Sequence, residues 1–63
     1  MRIKEIREAK GMTAAELAKA VNTTPVSISR YETGKRKPDI FKAAEIAKVL
    51  NVTVDELIGK KAG

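Results

Sequence analysis

At 63 residues the chain makes one small domain, 1–63, and so short a chain is marginal on core burial alone. It has neither cysteine nor histidine, which excludes disulfides, thiolate or imidazole metal sites, Cys–His nucleophiles and Ser–His triads. Thirteen Lys plus Arg against eight Asp plus Glu leave a formal charge of +5, which suits solubility or an anionic partner, and composition does not choose between them.

The chain reads as helices from end to end. Residues 2–10 form the first, with Ile3, Ile6 and Ala9 on one stripe and Gly11 as the stop. Arg7 lies beside that stripe, where an arginine can snorkel to water. Met12 then precedes Thr13-Ala14-Ala15-Glu16, a capping box that opens a helix over 13–21. Met12 is set to staple onto Leu17, and Leu17, Ala18 and Val21 point inward. Asn22 fits a left-handed stop. Only Asn22 and Thr23 then separate Val21 from Thr24, a candidate N-cap followed by Pro25 at the first helical position. Two capped helices on so short a link have helix-turn-helix geometry, and small Ala18 lets them approach closely.

The third helix, 24–33, ends at Gly34. Val26, Ser29, Arg30 and Thr33 share one face, while Ile28 and Tyr31 turn to the other. The first face combines a small apolar group, hydroxyls and an arginine. Such groups can reach thymine methyls, guanine edges and phosphates. Lys35-Arg36-Lys37 follows at once. Alone it is a solvated loop; beside a reading helix it lies along a phosphate backbone.

Asp39 caps a helix over 39–50, for which we expect Ile40, Ala43, Ala44, Ile46, Ala47 and Leu50 on a broad apolar stripe. Lys42, Glu45 and Lys48 should be solvated. Phe41 falls off the stripe, either folded back over the helix rim or meeting a partner. Asn51 is the next left-handed stop. Thr53-Val54-Asp55-Glu56 is a second capping box, opening a helix over 53–58 that ends at Gly59. Residues 60–63 read as a frayed basic tail. With Met1 at the start and this tail at the end, we expect a whole protein. No apolar run approaches a membrane span and no signal-peptide core is present, so it should be soluble and cytoplasmic. No acid–base or nucleophile arrangement is evident, so no catalytic residue, cofactor or metal is expected.

Leu17-Ala18, then Ile28-Ser29-Arg30-Tyr31-Glu32-Thr33-Gly34, Lys35, Pro38, Ile46-Ala47, Leu50 and Asp55-Glu56-Leu57 together resemble the Cro/repressor-type (XRE-like) helix-turn-helix domain of lambdoid phages and bacterial regulators. The resemblance covers nearly the whole chain. It implies an all-α, five-helix, lambda-repressor-like fold with the third helix in the major groove. Carried over by position, Pro25, Val26, Ser29 and Arg30 face the bases. Arg30 would take a guanine by two bonds and Val26 would pack on a thymine methyl. Thr24, Ser27, Lys35, Arg36, Lys37 and Lys42 would meet phosphates. So would Thr13 and Ala14, through the N–H groups of their helix.

Two positions depart from the family pattern. Ala14 stands where the family often has a phosphate-binding glutamine, and Pro25 offers no donor where many members carry a polar reader. Base readout then rests on Arg30, Val26 and Ser29. The resemblance also implies that Arg7 pairs with Glu32 as a largely buried structural ion pair. It further implies a regulator, a repressor in our reading, that binds double-stranded DNA at a palindromic operator as a homodimer. The dimer contact would fall near Leu57 and Ile58, of which one should serve it. The alternative is a weakly specific DNA-binding subunit with a protein partner, such as an antitoxin or a restriction-modification controller, in which Phe41 is the partner contact.

Overall fold

The computed structural model describes residues 1–59, and the expected basic tail, 60–63, lies outside the described residues. Five helices follow one another: α1 Ile3–Ala9, α2 Ala14–Ala20, α3 Pro25–Thr33, α4 Ile40–Leu50 and α5 Val54–Ile58. Each lies inside its expected span, shorter by the cap residues at one or both ends.

Local chemistry accounts for most of the boundaries. Thr13 and Thr53 both close reciprocal capping boxes, with Glu16 and Glu56 respectively. Thr24 accepts from the Ser27 N–H at 3.1 Å and Asp39 accepts from the Lys42 N–H at 2.7 Å. Each such cap contributes about 0.5–2 kcal/mol relative to alanine. Only α1 lacks a side-chain cap. Its start is held instead by the Arg2 N–H, which donates to the Leu57 carbonyl of α5 at 2.8 Å.

Three helices end the same way. Past α1, α2 and α4, the residues Gly11, Asn22 and Asn51 take positive φ values of 70°, 56° and 58°. The next N–H then folds back five residues: Met12 to the Arg7 carbonyl, Thr23 to Ala18 and Val52 to Ala47, at 2.8–2.9 Å. This is the Schellman closure, which satisfies carbonyls that the helix end leaves orphaned. A short polar side chain makes the left-handed conformation tolerable at the two asparagines.

The core is one cluster. Ile3, Leu17, Ala18, Val21, Ile28, Tyr31, Ile46, Ala47, Leu50 and Leu57 are buried in it, with Met1, Ile6, Met12, Ala14 and Val52 packed against its edge. Ala18 is buried where α2 and α3 pack together. No helix among the described residues is long and apolar enough to cross a membrane.

Five expected placements change. Ala9 is exposed. It lies six residues after Ile3, and an advance of 3.6 residues per turn carries it about 120° around the helix. In α4, Ala44 and Ile40 are also exposed, Ile40 at 75%. Ile40 opens the helix, a turn before Ala43 and Ile46 reach the core, and Ala44 sits on the far edge of the stripe. Phe41 does not fold over the rim; it stands out at 79% exposure. Lys42 is not solvated: its side chain is 22% exposed and its ammonium is bonded to the backbone.

Candidate nucleic-acid interface

The two faces of α3 separate cleanly. Ile28 and Tyr31 are buried, whereas Pro25, Val26, Ser29, Arg30 and Thr33 are exposed. Pro25 at the first helical position sits where a missing N–H is harmless. Thr24 does double service at this end. Its Oγ1 accepts the Ser27 N–H, and its hydroxyl lies 3.1 Å from Ser27 Oγ as a donor. Thr33 is turned back on the helix, its hydroxyl donating to the Ser29 carbonyl at 3.1 Å, so it offers less to a ligand than Ser29 or Arg30. The Arg30 side chain makes no hydrogen bond or ion pair among the described residues.

The basic loop is tied to this helix. Gly34 ends α3 with φ 78°, a conformation that costs most residues but not glycine. The Arg36 N–H then donates to the Arg30 carbonyl at 3.2 Å. Lys35, Arg36 and Lys37 are all exposed, and no described carboxylate pairs with them. Four cations thus lie at the C-terminal end of α3 without partners among the described residues.

Other predicted residues are engaged with the protein itself. The Arg7 Nε–H donates to Glu32 Oε2 at 2.7 Å, and its Nη1 donates to the Met12 carbonyl at 3.0 Å. Both side chains of the pair are nearly buried. The bond to Glu32 holds the Arg7 guanidinium above its ordinary pKa, outweighing the opposing effect of burial. The pair bolts α1 to the last turn of α3 and fixes the angle of the exposed face. At the start of α2, Glu16 Oε1 accepts the Thr13 N–H at 3.0 Å, so a carboxylate already occupies part of the helix end where Thr13 and Ala14 were expected to meet a phosphate. That bond, with a smaller contribution from the Thr13 hydroxyl, lowers the pKa of Glu16.

Lys42, expected at a phosphate, donates from Nζ to the Val21 carbonyl at 2.6 Å. Of the two residues considered for a dimer contact, Leu57 is fully buried, so it belongs to the core and has no surface to offer a partner. Ile58 is 47% exposed and lines a groove with Met1, Lys37, Pro38 and Ala43. Sequence reasoning missed the Lys42–Val21 bond and the second bond of Arg7. The first spans 21 residues, beyond any local pattern, and the second depends on the guanidinium being turned toward Glu32, 25 residues away.

The helix-turn-helix family model matches residues 3–57. The HTH-type transcriptional regulator ImmR of Bacillus subtilis is 36% identical over 59 residues, covering 94% of this chain and 46% of its own length. An uncharacterized HTH-type transcriptional regulator of Archaeoglobus fulgidus is 41% identical over 56 residues, 89% of this chain and 80% of that protein. The cryptic phage CTXphi transcriptional repressor RstR of Vibrio cholerae is 33% identical over 66 residues, 98% of this chain and 59% of the repressor. The chain therefore spans about half the length of the Bacillus regulator and most of the archaeal one. No solved structure gives a significant match.

Proposed function

The chain belongs to the helix-turn-helix family of DNA-binding transcriptional regulators, a non-enzymatic family, and from that premise we propose that it represses transcription by reading a palindromic operator as a homodimer. The observation that carries this is the outward face of α3. It presents Val26, Ser29 and Arg30 to solvent, next to a loop of three cations anchored to the helix by the Arg36–Arg30 backbone bond. In the major groove Arg30 takes a guanine edge and Val26 a thymine methyl, while Pro25 contributes shape only. Lys35, Arg36 and Lys37 follow the phosphates, as do the hydroxyls of Thr24 and Ser27. The free N–H groups at the start of α2, beside Thr13 and Ala14, take one more phosphate. A chromosomal target places the protein in the cytoplasm.

The dimer brings two α3 helices to successive grooves about 34 Å apart. Ile58, at the edge of the Met1–Pro38–Ala43 groove, is its apolar contact. Ile58→Glu should abolish dimer formation in sedimentation on operator DNA while leaving the monomer folded. An unchanged dimer would remove Ile58 from the interface.

A second reading, a weakly specific DNA-binding subunit with a protein partner, is favoured by one observation: Ile40 and Phe41 stand exposed side by side at the start of α4. Selection from a random DNA library at two salt concentrations separates the readings. A palindrome with half-sites one helical turn apart supports the repressor. Salt-sensitive retention without a motif supports the subunit. No retention at low salt removes DNA from the account.

A further inference from the structure

Lys42 sits in the first turn of α4, yet its ammonium reaches across to the end of α2. The Asp39 cap fixes the Lys42 N–H at 2.7 Å and so fixes where its side chain starts. The stem then runs through a largely enclosed space to Nζ, which meets the Val21 carbonyl at 2.6 Å. Glu45 flanks the ammonium at 3.8 Å.

Val21 is the C-cap of α2. Its neighbours are satisfied within the turn: the Ala18 carbonyl accepts the Thr23 N–H and the Lys19 carbonyl accepts the Asn22 N–H. The Val21 carbonyl is directed out of that closure, and Lys42 takes it. A cation at the negative end of a helix, donating a short charge-assisted bond from a partly enclosed site, is a strong form of this contact. Three residues later the chain is already at Thr24, the cap of α3. α4 packs chiefly on α2 and α5. Among the described residues, the hydrogen-bonded tie from α4 to the helix-turn-helix turn is made by the Lys42 side chain alone.

We propose that Lys42 is a positioning residue for DNA binding. It clamps the end of α2 and the turn that follows, and so sets how α3 is presented relative to the Lys35–Lys37 loop that leads into α4. It does not serve as a phosphate contact. This rests on the DNA-binding reading above, and the test separates the two.

The variants are Lys42→Met, which keeps the stem and removes the charge, and Lys42→Arg, which can still donate to the carbonyl. Amide hydrogen exchange is read on the free protein. Affinity is read for the selected operator and for random duplex across a salt series, at a temperature where circular dichroism shows every variant fully folded. Lys42→Met should speed exchange at Thr23 and Ile28 about tenfold or more, with the amides of α1 and α5 unchanged. Operator affinity should fall about tenfold, the scale of one lost base contact, with an unchanged salt slope and little loss on random duplex. Lys42→Arg should restore both.

A shallower salt slope with equal losses on operator and random DNA would make Lys42 a phosphate contact and overturn the clamp. So would unchanged exchange at the turn, or faster exchange everywhere with operator affinity intact. If the unmodified protein selects no operator, the DNA-binding reading fails and this role falls with it. Local exchange at the turn would still report, without DNA, whether the clamp exists.

Discussion

Helices α3 and α4 both expose apolar side chains, but for opposite reasons. In α3 the buried side is narrow and complete: Ile28 and Tyr31 enter the core, and the open side mixes Val26 with a serine and an arginine. In α4 the apolar stripe is wider than the core that receives it. Ala43, Ile46, Ala47 and Leu50 are buried, while Ile40 and Phe41 extend past the first turn. The difference lies in their surroundings. α3 packs on both α1 and α2, whereas α4 packs on α2 and α5 and begins beyond their cover. Amphipathic spacing shows which side of a helix can be buried; the neighbours decide how far along the helix burial extends.

The largest effect should come from the bolt beneath α3. Arg7→Ala strands the nearly buried Glu32 and leaves the Met12 carbonyl without its donor, costing about 3–5 kcal/mol in urea unfolding. A loss under about 1 kcal/mol would mean that the pair is solvated and that packing alone fixes α3.

The same substitution in each helix sharpens the contrast. Ile28→Ala should cost about 2–5 kcal/mol, because it opens a cavity in a closed core. Ile40→Ala should stay within about 0.5 kcal/mol, since its side chain is already in water. Equal losses would show that the start of α4 is covered in solution.

On the open face of α3, Arg30→Ala should cost about 1–3 kcal/mol in operator binding and relax preference at one base pair. Lys35→Ala should instead weaken binding to all sequences and lower the salt slope by about 0.9. If Arg30→Ala weakened operator and random DNA alike, Arg30 would be a phosphate contact and the outward face of α3 would carry no code.

The smallest effect concerns α2, on which both helices lean. The folded pKa of Glu16 is lowered, so its capping box stabilises the fold above the ordinary glutamate range and loses that contribution as pH falls through the lowered value. Thermal melts of the native chain and of Glu16→Gln should therefore differ at neutral pH and converge in acid. A gap that persists in acid would detach the cap from ionisation.

Much of this was legible from residue order. Thr13, Thr24, Asp39 and Thr53 each cap the N–H three residues on, and Gly11, Asn22 and Asn51 each close the helix before them. The outward set of α3 also followed from spacing alone. The Arg7–Glu32 pair did not; it came through the family resemblance, because 25 residues separate the partners. Ile40 and Ala44 were misplaced because periodicity carries no information about where a helix runs past its neighbours.

Sequence alone therefore determined the five helices, their caps and the polar face of α3, since each depends on interactions spanning at most about five residues. Only the tertiary structure decided that Leu57 is core and Ile58 is surface. It alone showed that the Arg2 N–H completes α1 from α5, and that Lys42 closes the end of α2 from across the fold. Those outcomes depend on where distant segments come to rest, which the packing of the whole core sets and no local pattern encodes.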